Sequence, residues 1–173
     1  RINDLILDTL DSLIKNEIQV LHQTGEANYR EVMFEGKVIL ELLPKEYQNF
    51  YFAKGFFEEK EYSLALAAAD LVIARAGSGT IFELSAAKKP AILIPLPESA
   101  GDHQRINAFE YANFGGAIIL EEKNILPHLF VEEVKNLLQD PEKLNQMSNR
   151  ANLFFRSDSA QLIAKEIFNL LNL

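Results

Sequence analysis

The stretch from Asp70 to Ile94 constrains this chain more than any other. Asp70-Leu71-Val72-Ile73-Ala74 is an apolar, β-branched run of strand length, and Arg75-Ala76-Gly77-Ser78-Gly79 is a glycine-rich loop. Residues 80–88 then read as a helix, and Pro90-Ala91-Ile92-Leu93-Ile94 is a second apolar run. A strand that is apolar at every position, rather than at alternate ones, is buried on both faces, as strands of parallel sheets are. Two such strands joined through a helix are parallel, and the crossover is right-handed.

The rest of the chain repeats the alternation. Ile2, Leu5, Ile6, Leu10, Leu13 and Ile14 follow helical spacing over residues 2–16. Ile18 to His22 is a short β-branched strand bounded by Gly25. Residues 26–43 are weakly helical, interrupted by Gly36 and ended by Pro44. The aromatic run 49–53 reads as a strand, 58–61 as a charged turn and 62–69 as a small-residue helix. After the proline-rich loop 95–101 come a helix over 102–114, a strand over 117–120 and helices from about Leu126 onward. Asp140-Pro141 opens one of these, with proline in the first turn, and Ser157-Asp158 caps the last, which runs to about Asn172. The reading is one α/β domain: a parallel sheet with helices on both faces.

Composition narrows the function. A net charge of -8 excludes nucleic acid as the main partner, because phosphate neutralisation needs a basic face. It also argues against broad adhesion to an anionic membrane, and no run of apolar residues is long enough to span a bilayer. With 0 cysteines there is no disulfide scaffold, thiol nucleophile or cysteine-ligated metal. No cluster of His, Asp and Glu has metal-ligand spacing, so no metal is expected.

In open parallel sheets ligands bind beyond the carboxyl ends of the strands. The loop after Ala74 lies at such an end. Its glycines let backbone approach a ligand closely, and the following helix start offers free N–H groups and a partial positive charge, a natural seat for phosphate. The loop lacks the Gly-Lys-Ser/Thr ending of a Walker loop and the third glycine of the dinucleotide fingerprint. Thr80 and Glu83, three apart, have two readings: a capping box, or a phosphate contact and a sugar contact, since a carboxylate can accept two vicinal hydroxyls. The next strand end carries Asp102-His103-Gln104 and, one turn on, Asn107. Asp102 is suited to cap the helix, and His103 and Gln104 either are solvated first-turn residues or reach a ligand. His22-Gln23-Thr24-Gly25 ends another strand. Phe56 and Phe57 are core residues or, alternatively, one ring covers a flat base. The pairs Glu58-Glu59 and Glu121-Glu122 read as solvated turns.

Together these motifs resemble glycosyltransferase family 28. The resemblance rests on the string from Ala69 to Leu84, on Pro90 to Pro95, on Asp102-His103-Gln104 with Asn107-Ala108, on His22-Gln23-Thr24-Gly25, and on Gly115-Gly116-Ala117. Their order and spacing make it specific over nearly the whole chain. It implies the C-terminal half of a GT-B fold, a Rossmann-like half that binds a nucleotide sugar, here UDP-N-acetylglucosamine. The N-terminal half would hold the acceptor, a lipid-linked N-acetylmuramoyl-pentapeptide, and the base. The resemblance places Phe56 and Phe57 at the uracil, partly through backbone groups at the second position. Glu83 falls at the ribose hydroxyls, Gly79 and Thr80 at the diphosphate, and His103 and Gln104 at the sugar hydroxyls. Gly77, Asp102, Arg75 and Asn107 are further substrate-binding positions. Transfer would invert the anomeric carbon, with helix and loop amides stabilising the leaving diphosphate, so no divalent ion and no cofactor is expected.

The family also has a strand and glycine-rich loop just ahead of the position of Arg1, and these and the acceptor domain lie outside the 173 residues. The stretch alone is therefore expected to be inactive and to belong to a longer protein. Any membrane contact, at the cytoplasmic face of the bacterial inner membrane, would come from outside it. Alternatives are a split enzyme with a separate membrane-bound subunit, a galactosyltransferase acting on diacylglycerol, a non-catalytic nucleotide-sugar-binding module and an epimerase-like relative.

Overall fold

Among the described residues five strands form, and every pairing between them is parallel. The computed structural model describes residues 1–97 and 99–171, and the chain divides into two compact units. The first comprises Arg1–Asp70 with Lys123–Lys143, the second Leu71–Glu122 with Leu144–Leu173.

In the first unit β1 (Val20–Gln23) pairs with β2 (Tyr51–Lys54), with Val20 opposite Tyr51 and Gln23 opposite Lys54. Helix α1 (Ile2–Lys15) turns Ile6, Leu10, Leu13 and Ile14 inward, as their spacing predicts, together with Leu7. Helix α2 (Tyr29–Glu41) packs on α1 and on β2, and Leu10, Ile14, Leu43 and Tyr51 form the shared core. Two helices complete the unit, α3 (Glu59–Ala68) and α6 (Pro127–Leu138), the latter burying Phe130, Val131, Val134 and Leu137.

Two expectations change here. Gly36 does not interrupt α2; it lies buried within the helix, where a Cβ would sit 2.5 Å from the Tyr51 ring. The glycine exists so that helix and strand can close together. The charged turn at 58–61 is instead the first turn of α3: the Glu58 N–H donates to Glu61 Oε2 at 3.0 Å, and Lys54 Nζ reaches the same carboxylate at 2.6 Å. Periodicity cannot detect a helix start whose first turn is all charged.

Tyr51 is held by a buried polar relay. Asn3 Nδ2 donates to the Thr24 carbonyl at 3.0 Å, which turns its Oδ1 toward His22 Nε2, also at 3.0 Å. Nε2 must then carry the hydrogen, so Nδ1 accepts from the Tyr51 hydroxyl at 3.0 Å. Burial lowers the His22 pKa to about 4 and raises that of Tyr51 to about 12.

In the second unit the order is β3-β4-β5, with β3 (Val72–Ala74) and β5 (Ala117–Ile119) flanking β4 (Ala91–Leu93). All three residues of β4 are at 0% exposure, as an uninterrupted apolar run requires. Helix α5 (His103–Asn113) lies against β5, and α4 (Ser78–Ala86) packs on α5. Helix α7 (Pro141–Phe154) brings Phe154 to this unit, edge-on to Tyr111 and Phe114 at 5.4 and 5.2 Å. Its start is the one the sequence implies: Asp140 Oδ1 accepts the Lys143 N–H at 2.9 Å. The last helix, α8, spans Ser159–Leu171, and Asn172, its expected end, lies outside the described residues. Among the described residues no helix is long and apolar enough to cross a membrane.

Gly36→Ala forces a methyl group into a Tyr51 ring that His22 pins in place, and is expected to cost about 2 kcal/mol in urea denaturation. The depressed pKa of His22 makes the unfolded chain bind its proton first. The His22 contribution to stability is therefore full above about pH 6.5 and falls as the pH drops toward 4, by about 2 kcal/mol between pH 7 and pH 5. An imidazole NMR titration should show His22 still neutral at pH 5; a midpoint near the ordinary value would contradict the relay.

Candidate functional site

The glycine loop is shorter than its sequence suggests. Helix α4 begins at Ser78, with Gly77 as its N-cap, so Gly79 and Thr80 lie in its first turn. At the start of the helix the Ile81 N–H donates to the Gly77 carbonyl, at 3.0 Å. The N–H groups of Ser78, Gly79 and Thr80 thus precede the hydrogen-bonded ladder, at the carboxyl end of β3. No side chain caps them. Thr80 and Glu83 are consequently not a capping box: Thr80 is already three residues into the helix, and Glu83, further along, is exposed.

Gly77 and Gly79 both have negative or unremarkable backbone angles, and neither is needed to make the turn. A Cβ added at Gly79 would meet nothing within 4 Å, and one at Gly77 would approach only Thr80 Oγ1, at 3.8 Å. The fold therefore does not demand glycine at 79, where alanine would make the better helix. Bare backbone facing open space is what a closely approaching ligand requires.

Two other expected residues, Asn107 and Gln104, tie the neighbouring loops together. Asn107 Nδ2, on α5, donates to the Ala76 carbonyl at 3.2 Å. Gln104 Oε1 accepts the Leu96 N–H at 3.0 Å, and the Gln104 N–H donates to Ser99 Oγ at 3.3 Å. Asp102 occupies the N-cap position of α5 but adopts a left-handed conformation, φ 57°, and makes no capping bond. Its carboxylate instead lies 3.6 Å from Arg105, at the surface. Ser99 supplies the side-chain oxygen that Asp102 was expected to give. His103 is exposed at the first position of the helix.

Arg75 points its Nη1 at three oxygens: the carbonyls of Ile94 and Pro95, at 3.1 and 3.3 Å, and Glu122 Oε2, at 2.5 Å. The last contact is electrostatic rather than a well-angled hydrogen bond. Glu122 is not the solvated turn residue the sequence suggests, since its side chain is only 12% exposed. Nothing local in the sequence distinguishes it from Glu121; only folding brings it to Arg75.

Phe56 and Phe57 belong to the first unit, just beyond β2. Phe56 is 54% exposed, which excludes a core role, while Phe57 is half-buried. The Phe57 N–H donates to Gln23 Oε1 at 3.0 Å, and Lys54 Nζ lies 5.9 Å from the Phe57 ring centroid. His22, in the same unit, is buried in its relay and is no surface ligand. Among the described residues no group of His, Asp and Glu could hold a metal ion.

A parallel α/β sheet with a glycine loop at one strand end and a polar helix start at the next defines a class of nucleotide-binding folds. The chain belongs to glycosyltransferase family 28: the family's C-terminal domain matches residues 1–163. It is similar to a curated protein of Myxococcus xanthus, UDP-N-acetylglucosamine--N-acetylmuramyl-(pentapeptide) pyrophosphoryl-undecaprenol N-acetylglucosamine transferase. The two are 33% identical over 98% of this chain and 42% of that protein. The same-named protein of Lawsonia intracellularis is 34% identical over 99% of this chain and 45% of its own length. The chain thus spans less than half of these relatives. The crystal structure of Acinetobacter baumannii MurG has the same fold, with a TM-score of 0.77 at 24% identity over 96% of this chain and 46% of that one.

Because Gly79 is a helical glycine with free space around it, Gly79→Ala is expected to stabilise the ligand-free chain by about 0.5–1 kcal/mol in thermal or chemical unfolding. Destabilisation would mean that the glycine serves the fold.

Proposed function

We propose that this chain is the donor-binding half of an inverting glycosyltransferase that moves N-acetylglucosamine from UDP-N-acetylglucosamine to a lipid-linked N-acetylmuramoyl-pentapeptide. The observation that carries the reading is the uncapped start of α4, with an unobstructed Gly79, at the carboxyl end of β3 in a family 28 chain. A diphosphate suits that position, because the amides and the helix dipole stabilise charge that grows as UDP departs. Glu83 holds the ribose hydroxyls from the exposed side of α4, and Phe56 and Phe57 hold the uracil. His103 and Gln104 meet the sugar, Gln104 while also fixing the Leu96 loop. Arg75, Asn107, Gly77 and Asp102 shape the surrounding loops.

In this reading an acceptor hydroxyl attacks the anomeric carbon, the bond to the diphosphate breaks, and UDP leaves with inversion. The base and the acceptor site belong to an N-terminal domain beyond these residues, with the strand and glycine-rich loop expected ahead of Arg1. Attachment to the cytoplasmic face of the bacterial inner membrane belongs there too. The names of the relatives support both the donor and the acceptor.

Calorimetric titration with UDP-N-acetylglucosamine, UDP and UDP-glucose tests the assignment, on this chain and on the longer polypeptide with the upstream strand. Binding should need the uridine diphosphate and favour the N-acetylated sugar. Glu83→Ala should weaken UDP roughly 10- to 100-fold, the loss of a charge-assisted pair of hydrogen bonds. Gly79→Ala should also weaken UDP while leaving the fold intact. No binding by either form would overturn the proposal.

A further inference from the structure

We infer that Glu122 is a positioning residue of the diphosphate-binding edge: through Arg75 it fixes the glycine loop and the start of α5. Arg75 immediately follows β3, Ile94 and Pro95 follow β4, and Glu122 follows β5 by three residues. The ends of all three strands of this unit therefore converge on one guanidinium nitrogen. Both partners are largely shielded, with Arg75 at 27% and Glu122 at 12% side-chain exposure. A cation so placed needs a counter-charge, since carbonyl dipoles alone compensate it poorly. The carboxylate keeps the guanidinium turned in against the two carbonyls.

The two loops that leave this clamp after β3 and β4 are each fastened to α5 one residue later. Ala76, next to Arg75, gives its carbonyl to Asn107; Leu96, next to Pro95, gives its N–H to Gln104. Helix α4 begins at Ser78, three residues after Arg75, and its uncapped amides can move no more than that short tether allows. Glu122 acts through Arg75, and loosening it should disturb the seat of the phosphates more than that of the base. The adjacent Glu121 is exposed and lies 3.8 Å from Arg105, which makes it a matched control.

The ligand part of this inference rests on the donor-site reading; the clamp itself does not. The test compares Glu122→Gln, Glu121→Gln, Arg75→Gln and the double variant Arg75→Gln/Glu122→Gln, the last leaving no unpaired charge if the single variants fold poorly. In Glu122→Gln, UDP should bind roughly tenfold more weakly while uridine changes less than about twofold. The double variant should be no weaker than Arg75→Gln, because the two residues act as one unit. Glu121→Gln should match the parent. Stronger or unchanged UDP binding in Glu122→Gln would overturn the inference, stronger binding identifying Arg75 as a direct phosphate ligand that Glu122 restrains. Equal losses for UDP and uridine would reduce Glu122 to general stability and overturn it as well. A ligand-free arm separates the two readings: amide exchange at Leu96 should accelerate in Glu122→Gln and not in Glu121→Gln. If the parent binds no UDP, the donor-site reading fails and the exchange result alone decides the clamp.

Discussion

Parallel pairing is the constraint on which the rest of this structure depends. Strands that run the same way bring all their carboxyl ends to one edge of a sheet, and each return path must be a crossover of helix length. In the second unit that edge holds Arg75, Pro95 and Glu122 together, although they are far apart in the chain. It also fixes where α4 and α5 begin. The burial of β4 on both faces is the energetic side of the same arrangement, since a strand with no solvent face needs sheet neighbours on both sides and helices above and below.

Polar residues at this edge serve more than one purpose. Asn107 and Gln104 have the residue types and positions of ligand contacts, yet in the folded chain each satisfies a backbone group of a neighbouring loop. Such bonds make loops into platforms: the backbone groups they hold would otherwise need water, and the loops would be mobile. Gly79 is the complementary case, a residue whose identity the fold leaves unexplained and open approach to the backbone explains. The first unit has its own version in the Asn3–His22–Tyr51 relay, where buried polar groups hold an aromatic ring against the glycine of a helix.

Where sequence reading went astray, the errors share one cause. Gly36 looked like a helix breaker because local propensity penalises glycine; its value lies in contact with Tyr51, a residue of another element. Thr80 and Glu83 matched a capping box, but the helix is capped three residues earlier, at Gly77. Asp102 had the right type for a cap and the wrong backbone conformation. Glu58 opens a helix that periodicity began at Tyr62. Each signal was correct as a local preference, and each was overruled by packing or by the register of a neighbouring turn.

Hydrophobic pattern by itself determined the class of fold here: the order of strands and helices, their parallel sense, the burial of β4 and the strand end that carries the glycine loop. These follow from periods of two and 3.6 residues and from the handedness of crossovers, which act within tens of residues. Motif order likewise determined the family. Only the tertiary structure decided that Glu122 meets Arg75 and Glu121 does not, that His22 is locked in one tautomer, and that Asn107 and Gln104 bind loops. Those outcomes depend on which side chains of distant segments come within about 3 Å of each other, and no spacing along the chain encodes that distance.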